Sequence, residues 1–321
     1  MYYISAASSI THQPTFQNVG FSAVIEPLRE SSVLLNPDYK GFIDAGLLRR
    51  MSKILRMSVA CAKDCISQAE IEQPGAIIVG TGLGCLLDTE KFLNNVLTIE
   101  GLLPPTAFIQ STHNTMAGQI SLSIGNHGYN MTHTQNTLSF ENALLDAMLL
   151  LDEHGDNILV GAADEAIEFL NEISGKLHFQ LTHPITSGAS FFILSNVKNV
   201  NPLACVKDSR AIGLVQHVGS EVHAFLKENE LNAEDLDLVL FSGVGGHISG
   251  GVEDVFENLG IAENKSHNYL TYSGIYPTTS AFALHLAIDK MKTDKSLRNV
   301  LICNTFIQSN LGLTLLQSIE A

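Results

Sequence analysis

Thr137 stands where this chain would most strongly activate a side chain. The stretch Asn130–Ala147, NMTHTQNTLSFENALLDA, reads as a short strand over Asn130–Gln135, a sharp turn, and a helix from Thr137 onward. Leu138, Phe140, Ala143, Leu144, Leu145 and the run Ala147–Leu151 leave that helix little polar face, and after Glu141 and Asn142 only Asp146 interrupts it. A helix apolar nearly all round is buried inside its domain. Its first turn sits at the positive end of the helix dipole, where a thiolate or oxyanion is favoured. A hydroxyl there needs a base within reach to become a nucleophile. His133 lies four residues earlier. The plainer role for Thr137 is packing or capping.

Other chemistry-bearing groups are thinly spread. His247 follows Ser242-Gly-Val-Gly-Gly246 and reads first as a solvent-facing loop histidine, with service as a catalytic imidazole the alternative, and His113 beside Asn114 reads as structural. Gly80-Thr-Gly-Leu-Gly84 has the wrong spacing for a dinucleotide loop and lacks an acidic ribose partner. Twelve histidines show no metal-ligand spacing, so neither a metal nor a cofactor is expected. Cys61 and Cys65 lie one helical turn apart with no nearby His or Cys pair to complete a zinc site. The five cysteines are an odd, scattered set, which reads as buried thiols in a reducing cytoplasm.

The elements that must position Thr137 alternate along the chain. Strands are expected at Met1–Ala6, Ala76–Val79, Asn157–Gly161, within Thr186–Asn196, and at Leu236–Phe241, Asn299–Cys303 and Leu311–Ser318. Helices are expected over Arg49–Ala69, Asp88–Leu97, a segment ending near Ile124, Ile212–Asn229, Gly250–Leu259 and Thr279–Lys292. Phe108–Gly118 reads as a loop, and residues 166–183 are poorly patterned. The class is α/β. Phe140 through a helix to Asn157-Ile-Leu-Val160 matches Phe282 through a helix to Asn299-Val-Leu-Ile302, with equal spacing. Ile77–Gly84 (IIVGTGLG) likewise matches Val239–Gly246 (VLFSGVGG). Such a repeat implies duplication, with two halves, 1–175 and 176–321, stacked so that the apolar helices lie between two sheets.

With 45% hydrophobic and 16% charged residues, the chain has a large core to bury. A net charge of −15 argues against nucleic acid and anionic membrane as partners. The sequence offers neither eighteen uninterrupted apolar residues nor a signal-peptide pattern at its start, so a cytoplasmic protein is expected.

The order of these segments resembles the β-ketoacyl synthase branch of the thiolase-like fold, from about Gly46 to Leu316. Gly80–Gly84 followed by Phe92 is similar to the family's glycine loop and helix. Asn114 and Gly118 stand in its P-x-x-N-x-x-A-G region, and Gly128–Ala147 resembles its nucleophile region. Gly161–Glu165 resembles G-G-x-E and Ser187–Leu194 the G-E-G-A strand. Ser242–Glu253 falls on H-G-T-G-T-x-x-x-D-x-x-E, Ser273–Ala283 on K-x-x-x-G-H-x-x-G-A-A-G, and Asn304–Asn310 on the terminal glycine-rich gating motif. The specificity lies in eight weak motifs occurring in the right order.

The resemblance implies a five-layer αβαβα fold, and its departures carry the functional reading. The family's cysteine falls on Thr137, its first histidine on Ser242 and its second on Pro277. Its lysine falls near Tyr272, and the gating loop shrinks to Phe306–Asn310. Decarboxylative condensation needs a thiolate for the acyl chain and imidazoles to stabilise the enolate. The chain therefore resembles a chain-length factor, the lost-site subunit of a type II polyketide ketosynthase heterodimer, which shapes the acyl tunnel and meets the acyl carrier protein through its partner. That implies pairing through Asn130, Met131, Thr132, His133, Thr134 and Gln135. It implies tunnel-end roles for Leu83, Leu86 and Leu87, where a bulky side chain would stop extension. Tyr276–Leu284 resembles subunits of aryl polyene or flexirubin-type pigment pathways. The alternatives are an independent acyl-transfer, decarboxylase or hydrolase enzyme using Thr137, and a homodimeric scaffold without a tunnel role.

Overall fold

Strictly alternating burial sets the architecture. In Ala76–Gly80, Ala76 and Ile78 enter one hydrophobic cluster while Ile77 and Val79 enter another, and Val300 and Ile302 part from Leu301 and Cys303 in the same way. A strand apolar on both faces must be covered on both. The computed structural model describes residues 1–177, 181–198, 201–243, 252–307 and 309–319. Its strands are β1 (Tyr2–Ile10), β2 (Ala76–Gly80), β3 (Tyr129–His133), β4 (Ile158–Asp164), β5 (Gly188–Ser195), β6 (Ala204–Gly213), β7 (Leu238–Phe241), β8 (Ser266–Asn268), β9 (Asn299–Asn304) and β10 (Asn310–Gln317). Its α-helices are α1 (Ala45–Leu48), α2 (Lys53–Gln68), α3 (Leu86–Thr98), α4 (Pro105–Gln110), α5 (Thr115–Ile124), α6 (Ser139–His154), α7 (Glu168–Lys176), α8 (Val218–Glu228), α9 (Val252–Asn258), α10 (Leu270–Ser273) and α11 (Thr279–Thr293).

The strand order β3-β2-β4-β5-β1-β6-β10-β9-β7-β8 contains one pattern twice. The first five strands and, read from the far edge, the last five follow the same connectivity, so the duplication seen in the sequence is a duplication of topology. The two sets are joined edge to edge where Tyr2–Ile4 pairs antiparallel with Ala204–Val206. The expected pair of separate sheets is therefore one hydrogen-bonded ribbon of ten strands. α6 and α11 pack in one cluster with Ile78, Val160 and Phe192 of the first set and Leu240 and Ile302 of the second. α2 and α5 cover the outer face of the first set, and α8 and α9 that of the second. These are the five layers.

The pairing also moves the division between halves. β5 pairs with β1 and β4, so the strand sets part between Ser195 and Ala204 rather than at 175/176. Other expectations shift locally. The first strand runs on to Ile10, a helix occupies Pro105–Gln110 where a loop is expected, and Glu168–Lys176 is helical. Ile212–Gly213 closes β6, and the helix expected from Ile212 begins only at Val218. β6 escapes notice because Lys207, Asp208 and Arg210 break its apolar pattern. Arg210 is satisfied by Glu228 and by the face of Phe225. Among the described residues no helix is long and apolar enough to cross a membrane.

Candidate functional site

The chain arrives at Thr137 through a tight elbow. β3 ends at His133, so Thr134 and Gln135 lie beyond the strand, in the connection to a 3-10 turn over Asn136–Leu138. Asn136 takes a φ of 55°, a left-handed conformation that asparagine tolerates better than most residues. α6 then starts at Ser139, whose hydroxyl donates to the carbonyls of Thr81 and Asn136, and it ends on left-handed Gly155. Thr137 is fully buried. Its hydroxyl accepts from Asn310 Nδ2 at 3.0 Å, and its carbonyl accepts from Asn304 Nδ2 at 2.7 Å.

Asn304 joins Thr137 to Ser242. Its Nδ2 also donates to Glu141 Oε1 at 2.8 Å, and its Oδ1 accepts from Ser242 Oγ at 3.3 Å. Ser242 Oγ in turn accepts from the Thr305 N–H at 2.9 Å. Pro277 closes the other side. A Cβ at Gly82 would stand 2.3 Å from Pro277 Cβ and 3.3 Å from the Asn136 carbonyl, so the loop passes there only because Gly82 has no side chain. Thr137, Ser242 and Pro277, from three distant segments, thus surround one junction.

Its centre is polar and occupied. Asp164 is fully buried and receives hydrogen bonds from Thr81 Oγ1 and the N–H groups of Gly82 and Leu83. Thr278 adds both its N–H and its hydroxyl. Burial pushes the Asp164 carboxyl up, and these donors pull it back. Glu141 is buried, its Oε2 without a hydrogen-bond donor in normal geometry among the described residues, and burial raises its carboxyl too, against Asn304 and Ser280. Cys303 is pushed up to about 12 by burial and by Glu141, so it offers no thiolate.

Glu141, Asp164, Asn304 and Asn310 received no role from sequence reasoning. Their available signal was a charged or amide group isolated in an otherwise apolar element.

The candidate bases lie elsewhere. His133 Nε2 is 2.9 Å from Asp146 Oδ2, and the His113 ring packs on Gly84. His247 lies outside the described residues. Among those described, no histidine hydrogen-bonds Thr137. Nor does any group of three or more His, Cys, Asp or Glu have metal-holding geometry.

The tunnel candidates separate. Leu83 lines an apolar cavity of about 250 Å3 with Leu170, Ile173, Tyr276, Pro277 and Phe306. Leu86 and Leu87 instead form the first turn of α3, where the Leu87 N–H donates to Glu165 Oε1. Of the pairing candidates, Asn130, Met131, Thr132 and His133 belong to β3, the outermost strand, which among the described residues pairs only with β2. Met131 is 40% exposed, while Asn130 Nδ2 is tied to the Ala117 carbonyl.

Five layers, a duplicated strand order and a helix-start elbow between the halves define the ketosynthase fold. A chain of the ishigamide ketosynthase/chain length factor superposes with a TM-score of 0.81 at 14% identity, covering 99% of both chains. A ketosynthase (ApeO) in complex with its chain length factor (ApeC) from Xenorhabdus doucetiae gives 0.77 at 12% identity, over 99% of this chain and 98% of that one. A β-ketoacyl synthase from Burkholderia phymatum STM815 gives 0.78 at 12% identity, with 99% of both chains covered. Residues 34–184 match the β-ketoacyl synthase N-terminal domain. No curated protein matches the sequence.

Proposed function

We propose that this chain is the non-catalytic, chain-length-setting partner of an active β-ketoacyl-ACP synthase in polyketide or aryl polyene-type biosynthesis. One observation carries the reading. At the helix start where the family places its thiolate, a fully buried threonine hydroxyl is committed to Asn310, and Pro277 stands where an imidazole would be needed. Proline offers neither a proton nor a side-chain hydrogen bond, so the condensation chemistry lacks its parts. Support comes from similar structures in which a ketosynthase is paired with a chain length factor. A type II polyketide ketosynthase bound to its acyl-carrier protein is also similar, with a TM-score of 0.81 at 13% identity and 99% of both chains covered. In this reading the cytoplasmic heterodimer forms through β3, and the carrier protein delivers its chain to the partner's active site.

The test is co-expression with a candidate ketosynthase. The two chains should co-purify, and the isolated chain should neither become acylated nor condense. In the reconstituted pair, Thr137→Ala should leave turnover unchanged. Leu83→Ala should lengthen the product, whereas Leu86 and Leu87, outside the cavity wall, should matter less. Self-acylation of the isolated chain, abolished by Thr137→Ala, would replace this reading with that of an independent enzyme.

A further inference from the structure

A second cavity, of about 430 Å3, opens between α2 and α11 beside the segment 15–19. It shares no lining residue with the Leu83 cavity. Two carboxylates line it, Asp64 and Asp289, only 3% and 4% exposed, and neither forms an ion pair with a described residue. Each is held by donors. Asp64 accepts from the side-chain amides of Gln17 and Gln68, both at 2.7 Å, and Asp289 from the N–H groups of Gly20 and Ser22 at 2.6 and 2.8 Å. Buried negative charge without a counter-charge is costly, and a cation supplied from outside would offset that cost.

His285 gives an independent indication. The side chain is 92% buried and lines the same cavity. The Ser9 hydroxyl donates to Ser190 Oγ at 2.8 Å, so the 2.7 Å contact between Ser9 Oγ and His285 Nδ1 has the ring as donor. Nε2 then carries a lone pair and meets no hydrogen-bond partner among the described residues. Burial keeps the ring neutral by lowering its pKa to about 4. The amide groups lean the same way. Gln17 turns one Nε2 hydrogen to Asp64 and Asn18 one Nδ2 hydrogen to the Pro14 carbonyl, and no described residue donates to either side-chain oxygen. The wall therefore offers acceptors and negative charge and wants N–H donors and positive charge. Among the described lining residues, exposed Lys292 is the one ammonium.

We propose that this cavity binds a small organic cation of the ammonium or guanidinium class. The proposal is independent of the pairing with a ketosynthase. Agmatine, which carries both groups, is the probe, with 1,4-butanediol as the uncharged control, in calorimetric titrations of the full chain. Agmatine should bind saturably at one site and the diol should not. Asp64→Asn should weaken agmatine at least tenfold, while the surface control Glu100→Gln should leave it unchanged. Lys292→Ala, which removes an exposed repelling charge without touching the core, should tighten it severalfold. That variant decides the matter should Asp64→Asn fail to fold. Absence of saturable agmatine binding would overturn the proposal. So would equal effects of Asp64→Asn and Glu100→Gln, because attraction would then come only from the overall charge of −15.

Discussion

Asp164 holds more of the site than any other side chain. Its two oxygens collect donors from Thr81, Gly82 and Leu83 on one side and from Thr278 on the other, which clamps the glycine loop to the start of α11. Removing a buried acceptor leaves every donor unsatisfied, and the cost follows the orphaned groups rather than the lost bonds. Asp164→Ala should therefore destabilise the chain by about 3–5 kcal/mol, measured by urea unfolding. Thr137→Ala gives up a single neutral bond from Asn310 and should cost only about 1 kcal/mol in the same assay. A Thr137 variant as damaging as the Asp164 one would show that the hydroxyl organises the junction rather than occupying it. Thr137 itself was legible in the sequence, because an apolar run with a polar first residue marks a buried helix start. Its partner was not. Asn310 lies 173 positions away, and no local pattern joins the two.

Among the elements, β3 is the exposed one. It is the outer strand of the first set, bonded on one side to β2, with Tyr129 and Met131 each 40% exposed. An edge with open backbone groups and apolar side chains invites another strand. Met131→Glu should leave the chain's own stability within about 0.5 kcal/mol, because the side chain is already half in water. The same variant should abolish co-purification with a ketosynthase partner. Retained co-purification would place the contact surface elsewhere. Elements apolar on both faces, such as β2, β4 and β9, were readable from sequence because polar residues stand only at their ends. β6 was not, since its Arg210 is satisfied by Glu228 and Phe225 of α8, an element that must already be folded for the strand to make sense.

Across the whole molecule, α6 and α11 join the two strand sets, and His285 reports on that joint. It lies on α11 among Phe21, Phe192 and Ser9, and burial holds its pKa at about 4, below the ordinary 6.5. Above pH 6.5 neither the folded nor the unfolded chain protonates this ring, and its contribution is flat. As pH falls from 6.5 toward 4, the unfolded chain takes a proton that the folded chain refuses, so stability is lost, by about 3 kcal/mol at full extent. Unfolding of the parent chain and of His285→Gln between pH 8 and 5 isolates this group. The stability advantage of the parent should narrow as the solution is acidified, and a constant gap would mean that the ring is not held neutral.

The sequence by itself determined the α/β class, the duplication, the buried helix that follows Thr137 and the absence of cysteine from that position. Each of these is written in periodicity and residue type, which act locally along the chain. Only the tertiary structure decided that Thr137, Ser242 and Pro277 meet and that Asp164 and Asn304 occupy the space between them. It also parted Leu83 from Leu86 and Leu87, and it brought Asp64, Asp289 and His285 to one cavity. These depend on which faces two strand sets turn toward the same pair of helices, a choice made by burying apolar surface over the whole chain at once.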